Sequence, residues 1–288
     1  MNSLSPSDRH PSHMLSGPLT TDPAVIGIIG AGHLGRALAL AHRQAGYPNS
    51  RILISHGSSQ QTLEAINRSG LGRNVTSNEE IFQKASLIFI AIRPQSLISL
   101  SRLPVSPSTI VISCMAGIST WTLQNLWNIP VHRMMPSGPE TVLAGKSIAG
   151  LYPGSLVIRD HLTKIGLEVI VVSDEEQMHD ITAGVCFPAA LLVAKDQNLD
   201  IENEIRAGEG FGHLYSRVLS WACTVAPQEL SGPERTAYIS RMSTPGGITE
   251  TVCRSIREGN SLYQAYLDGI SRCRDIGEEM AGRTISDR

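Results

Sequence analysis

Short, continuous apolar runs punctuate the first two thirds of this chain, and stretches that read as helix lie between them. Ile26–Ile29, Arg51–Ser55, Leu87–Ile92, Thr109–Ser113 and Val131–Met135 are the runs. Each is strand-sized and apolar on both faces, as strands covered on both sides of a parallel sheet must be. Ser147–Leu151 and Glu168–Val172 read as two more strands. Helices are expected over Arg36–Gln44 and Gln60–Ser69, and another after Ser77, where a capping hydroxyl precedes Glu79 and Glu80. From Asp174 onward strand signals fade and helical patterns replace them, for instance Leu191–Ala194 and Gly212–Ala226. The expected architecture is α/β: a Rossmann-type, mostly parallel sheet over 23–173, then an all-helical domain over 174–288. Residues 1–22, rich in Ser, Pro, His and Thr, read as a disordered extension and not as a secretory signal.

The first run leads directly into Gly30-Ala31-Gly32-His33-Leu34-Gly35. A strand, a G-x-G-x-x-G turn and a helix form the dinucleotide fingerprint. Gly30 makes the tight turn, Gly32 admits a pyrophosphate to the backbone, and Gly35 lets helix and strand pack closely. The helix N-terminus offers free N–H groups to phosphate. His33 and Leu34 complete the candidate contacts, with His33 orienting backbone and not moving a proton. A purely structural glycine turn is the alternative.

The second run suggests which dinucleotide. An NAD site places an acid about 20 residues past the first glycine, on the ribose 2′-OH. No Asp or Glu lies between Gly30 and Glu64. Ser55, His56 and Ser58 occupy that loop instead, so NADP(H) is preferred over NAD(H). The alternative is that the loop is an ordinary polar turn. Ligands in such sheets bind beyond the carboxyl ends of the strands. That places Ala91, Arg93 and Pro94, Ala116 and Gly117, and the segment Pro136–Pro139 along one crevice.

Composition narrows the class. Over 288 residues, 24 basic and 26 acidic side chains nearly balance, and neither nucleic acid nor an anionic membrane is expected as partner. The five cysteines have no metal-ligand spacing, so they read as reduced thiols of a cytoplasmic protein. The nine histidines are scattered; His132, on a strand, reads as core or crevice wall.

Within the helical region, Ser243-Thr244-Pro245-Gly246-Gly247-Ile248-Thr249 interrupts the pattern just before a helix, a turn suited to a carboxylate. An ordinary interhelical turn is the alternative. Taken with Ala91-Ile92-Arg93-Pro94-Gln95, Ile112–Gly117, Arg133-Met134-Met135-Pro136 and Ser271–Gly277, this chain resembles the pyrroline-5-carboxylate reductases over nearly everything after residue 23.

The resemblance implies an NADP(H)-linked enzyme that reduces 1-pyrroline-5-carboxylate to proline. It further implies a helical domain that interlocks with a second subunit as a homodimer or higher oligomer. Backbone amides at Gly246 and Gly247 would hold the substrate carboxylate, with Ser243 and Thr244 beside them, and Thr249 would bond the ring nitrogen. A helical region too small and too apolar to close a core alone also suggests an intertwined dimer.

Two departures from the family pattern bear on the substrate. Ala183–Ala189 carries Val185, Cys186 and Phe187 where the family has small residues. Ser137-Gly138-Pro139-Glu140 replaces Asn-Thr-Pro-Ala, so Glu140 could place a carboxylate near the crevice or face solvent. Reduction of a different cyclic imine and a non-catalytic nucleotide-binding relative are therefore the other readings.

Overall fold

The computed structural model describes residues 25–208 and 210–286; the extension proposed for residues 1–22 lies outside them. Seven strands form one sheet in the order β2-β1-β3-β4-β5-β6-β7. They are β1 (Ile26–Ile29), β2 (Ile52–Ser55), β3 (Leu87–Ile90), β4 (Ile110–Ser113), β5 (Val131–Pro136), β6 (Ser147–Tyr152) and β7 (Leu167–Val171). Within the sheet region lie α1 (His33–Gln44), α2 (Gln60–Arg68), α3 (Asn78–Lys84), α4 (Thr120–Trp127), α5 (Pro139–Leu143) and α6 (Leu156–Lys164). Beyond it come α7 (Gln177–Gly184), α8 (Phe187–Asp196), α9 (Ile201–Gly208), α10 (His213–Val225), α11 (Gly232–Met242), α12 (Ile248–Arg257) and α13 (Leu262–Ser286).

β1 to β5 are mutually parallel, as their two-sided apolar character requires. One face buries Ile28, Ile54, Phe89 and Ile112, and the other buries Ile29, Ile88, Val111 and Val131. β6 runs antiparallel to β5. The segment from Ser137 to Lys146 holds only the short α5, and a parallel crossover needs about a dozen residues or more. β7 then returns parallel to β6 through α6. Serines cap the helices where the sequence turns polar: the side chains of Ser59, Ser77, Ser119 and Ser155 each accept the amide three residues on. α1 begins three residues earlier than its apolar pattern suggests, which puts Gly35 inside its first turn.

The C-terminal helices pack on β5 to β7. Met135, Ile148 and Ile170 join Phe187, Tyr215, Val252 and Tyr266 in one core. Gly150 on β6 opens the space that Ile181 of α7 fills; a Cβ there would stand 2.9 Å from Ile181 Cγ1. These helices bury a contiguous core within a single chain, so a core that cannot close alone is no longer a reason to expect a dimer. The apolar pair α7 and α8 is bent by 48°, and among the described residues no single helix is long and apolar enough to cross a membrane. Four of the five cysteines are buried, Cys223 is half-buried, and all are free thiols.

Between α1 and α6 the core contains a polar chain. His42 Nε2 lies 3.0 Å from His161 Nε2, and His161 Nδ1 lies 3.2 Å from the Tyr47 hydroxyl. Burial, and then the neighbouring His161, push His42 from 6.5 down to about 3, against its bond to the Leu38 carbonyl. The folded protein therefore keeps His42 neutral where the unfolded chain would protonate it. This contribution to stability is present above the unfolded pKa and is lost as pH falls toward the folded one. For this group alone, stability should fall by about 1.4 kcal/mol per pH unit below about pH 6.5. Urea unfolding at a series of pH values measures it, and a midpoint that does not move between about pH 6.5 and about pH 4.5 would contradict a neutral buried His42.

Candidate dinucleotide and substrate crevice

β1 lies between β2 and β3, so the connections after β1 and β3 leave the sheet in opposite senses. The strand order reverses here, and a crevice opens at the carboxyl ends. Gly30 sits at its floor with φ of +96°, where a Cβ would be 2.6 Å from the Ala91 carbonyl oxygen. A Cβ on Gly35 would overlap the Gly30 carbonyl. Gly32 differs: its φ is −65° and a Cβ would meet nothing within 4 Å. Two of the three glycines therefore serve the turn, and the third leaves the approach to α1 open.

Gly32 is also the N-cap of α1, contributes no side chain, and is followed by no acid in the first turn. The cradle suits a diphosphate. His33 is exposed and Leu34 half-buried at its entrance. Arg36 was not anticipated from the sequence. Its Nη1 donates to the Ala31 carbonyl at 3.0 Å, and burial and the nearby Arg68 hold its pKa below the usual value. Its place one turn into α1 was the available signal.

The loop after β2 is only partly as expected. The Ser55 carbonyl accepts Ala31 N at 2.7 Å and Gly30 N at 3.2 Å, so β2 fixes the glycine turn through its backbone. The Ser55 side chain is buried, and its hydroxyl donates to Asn78 Oδ1 at 2.6 Å. It faces α3 and not the crevice. His56 Nδ1 is bonded to the adjacent Gly57 carbonyl, while Ser58 stays exposed. No carboxylate occupies this loop.

Ala91 and Pro94 are half-buried and Arg93 is exposed at the end of β3. One strand over, Gly117 takes φ of +74° against the backbone of α13. A Cβ on Gly117 would be 2.9 Å from both Cys273 O and Gly277 N, and one on Gly277 would be 2.7 Å from Gly117 O. Beside this contact a cavity of about 420 Å³ is lined by Arg133, Glu175, His179 and the exposed Trp121. Arg133 is 2% exposed, and its Nη1 pairs with Glu175 Oε1 at 2.8 Å. The same carboxylate accepts Thr120 N at 2.7 Å and Thr120 Oγ1 at 2.8 Å.

α13 also reaches the glycine loop before α12, because Arg272 Nε donates to the Gly246 carbonyl at 2.9 Å. Consecutive turns of α13 thus link that loop to Gly117. Met242 packs near Gly138 at the end of β5, from the other side. The loop starts where α11 ends, with Ser243 N donating to Ile239 O at 3.0 Å.

Its amides are not free, contrary to the sequence expectation. Gly246 N donates to Glu250 Oε2 at 2.6 Å, and Gly247 N donates to the Thr244 carbonyl at 2.8 Å. Thr249, in the first turn of α12, donates to Cys186 Sγ at 3.2 Å. Glu140 is exposed and faces Arg241 of α11 at 3.4 Å, away from the crevice. His132 is half-buried, bonded to the Pro153 carbonyl at 2.9 Å, and lowered in pKa by burial.

A family model described as "NADP oxidoreductase coenzyme F420-dependent" matches residues 25–117. That match covers about a third of the chain, the part that carries the glycine cradle. Pyrroline-5-carboxylate reductase 3 of Bos taurus is 27% identical over 241 residues, which are 78% of this chain and 75% of that protein. The same-named protein of Mus musculus is 30% identical over 134 residues, 44% of this chain and only about half (48%) of its own length. The crystal structure of Plasmodium falciparum pyrroline carboxylate reductase with NADP bound shares the fold. It is 19% identical with a TM-score of 0.54, over 88% of this chain and 98% of that one. The chain is thus similar to pyrroline-5-carboxylate reductases at low identity and shares the fold of one whose structure is solved.

The three glycines should separate under mutation. Gly32→Ala should leave the folded protein within about 0.5 kcal/mol of its starting stability while weakening dinucleotide binding at least tenfold. Gly35→Ala should lower the melting temperature as well, because helix and strand must part. Paired melting curves and cofactor titrations distinguish the two; equal loss of stability in both variants would refute these roles.

Proposed function

We propose that this chain reduces a cyclic imine with a nicotinamide dinucleotide, NADPH in preference to NADH. The supporting observations are the glycine cradle, the backbone contact of Gly117 with α13, and the bond from Arg272 of α13 to the Gly246–Thr249 loop. When bound, the reduced cofactor supplies a hydride to the imine carbon. The protein's task is to hold the ring against it and support the nitrogen. The imine nitrogen takes a hydrogen bond or a proton as the C=N bond becomes a C–N bond. In this reading Thr249 serves that task. Its present acceptor, a buried thiol, is a weak one that an imine nitrogen can replace. Relatives named for pyrroline-5-carboxylate make that imine, which yields proline, the first substrate to test.

Cofactor preference follows from charge. Arg36 stands beside the fingerprint and no acid lies in the loop after β2, so a 2′-phosphate meets no repulsion there. Ser55 is committed to Asn78, so the exposed Ser58 is the position at which to add a charge. Calorimetric titration should show tighter binding of NADPH than NADH, and Ser58→Asp should narrow the gap. Thr249→Ala should slow turnover about tenfold to a hundredfold, the loss of a hydrogen bond to a developing charge. NADPH affinity should stay within about twofold, because Thr249 belongs to the substrate side. Unchanged turnover of an accepted imine would remove Thr249 from the mechanism.

The same reading divides the chain near residue 173 into a cofactor part and a helical substrate part, and it includes a homodimer. Phe211 and Leu267 keep exposed apolar surface on the helices. Light scattering on the active protein should give twice the 31.0 kDa chain mass; a monomer at full activity would rule the dimer out.

A further inference from the structure

The loop before α12 already holds a carboxylate. Gly247 is the N-cap, so Ile248, Thr249 and Glu250 are the first three helical residues. A glutamate at the third position commonly reaches back to the N-cap amide. Here it reaches one residue further, to Gly246 N at 2.6 Å. Gly246 has φ of +68°, a left-handed conformation that glycine adopts without strain. The second glycine amide, Gly247 N, closes onto the Thr244 carbonyl inside the loop.

Two arginines lie near the loop: Arg257 lines the same hollow as Pro245 and Glu250, and Arg272 reaches the loop from α13. Arg272, whose Nε holds the Gly246 carbonyl, is paired through Nη1 with Glu279 at 2.8 Å and lies 3.9 Å from Asp275. An anionic substrate group arriving at Gly246 N would meet Glu250 at contact distance and a neutralised arginine. Like charges forced together oppose binding. Thr249 and Glu250 are consecutive on α12 and their side chains go to different partners, Cys186 and Gly246 N, so Glu250 bears on the carboxylate end of a substrate and not on its nitrogen.

We propose that Glu250 is a resident carboxylate that fills the place a substrate carboxylate would take, and thereby selects cyclic imines with no carboxylate on the ring. The proposal rests on the imine-reductase reading and names the substrate class within it. Glu250 is a specificity residue; it carries no proton or hydride in the reaction.

Two variants separate its charge from its hydrogen bond. Glu250→Gln keeps an oxygen that can accept Gly246 N–H, so the cap and the fold are retained while the charge goes. Glu250→Ala removes both and frees the amide. With NADPH, kcat and KM are measured for 1-pyrroline and for 1-pyrroline-5-carboxylate. With NADP, calorimetry measures the binding of pyrrolidine and of L-proline to each protein.

The unmodified protein should favour 1-pyrroline in kcat/KM. Both variants should shift the ratio toward the imino acid by about tenfold or more, through KM and not kcat, as removal of a like-charge contact requires. Proline should bind the variants about tenfold more tightly, with pyrrolidine binding unchanged. A substrate ratio and a proline affinity unmoved in both variants would overturn the proposal, as would an unmodified protein that prefers the imino acid. If no imine is turned over by any of the three proteins, the reductase reading fails. The proline and pyrrolidine titrations still decide the role of Glu250.

Discussion

A guanidinium in the middle of a sheet must keep its charge, because arginine does not deprotonate in proteins, and it must not keep that charge alone. Arg133 of β5 is in that position, and Glu175 is what neutralises it. The carboxylate also takes the Thr120 amide and hydroxyl at the start of α4. One side chain therefore links three things: β5, the N-terminus of a sheet helix, and the segment leading from the last strand into α7. Arg133 Nη2 finds no partner among the described residues, so Glu175 is the whole of its compensation there. With α7 placed, Ile181 enters the gap at Gly150 and α13 packs along α7 into contact with Gly117. The crevice wall opposite the glycine cradle is thus an outcome of one buried charge and its partner.

The sheet was legible in the sequence because burial on both faces leaves an unmistakable trace. All seven strands fall on the expected apolar runs, within a residue or two at their ends. Direction was less legible. Nothing in the apolar run Ser147–Leu151 distinguishes a parallel from an antiparallel neighbour; the length of the preceding connection does, and it is too short for a crossover. The helical part was visible as helix but not as a self-contained core. Its closure depends on aromatic contacts among Phe187, Tyr215 and Tyr266 that are far apart in sequence.

At the crevice, positions were readable and engagements were not. Glycine spacing indicates where the backbone must bend, because only sterics are involved. A hydroxyl on a strand end, such as Ser55, points to a ligand or to a neighbouring helix according to which face of the strand it occupies and what packs there. Asn78 lies 23 residues away and gave no warning. The same applies to Gly246, whose amide is claimed by a glutamate four residues on, one residue beyond the usual reach of a helix cap. Arg36 was hidden by its helical surroundings.

Gly117 and Gly277 touch backbone to backbone, with no side chain on either to intervene. Most contacts between two parts of a protein can drift gradually, one side chain shrinking as another grows. This one has no such intermediate. A methyl group on either residue separates the loop from the helix before any second change can answer it. In an evolving lineage the two positions would behave as a single character, held or surrendered together. Divergence that has reached most of the sequence around the crevice would then still leave the spacing between its two halves where it began.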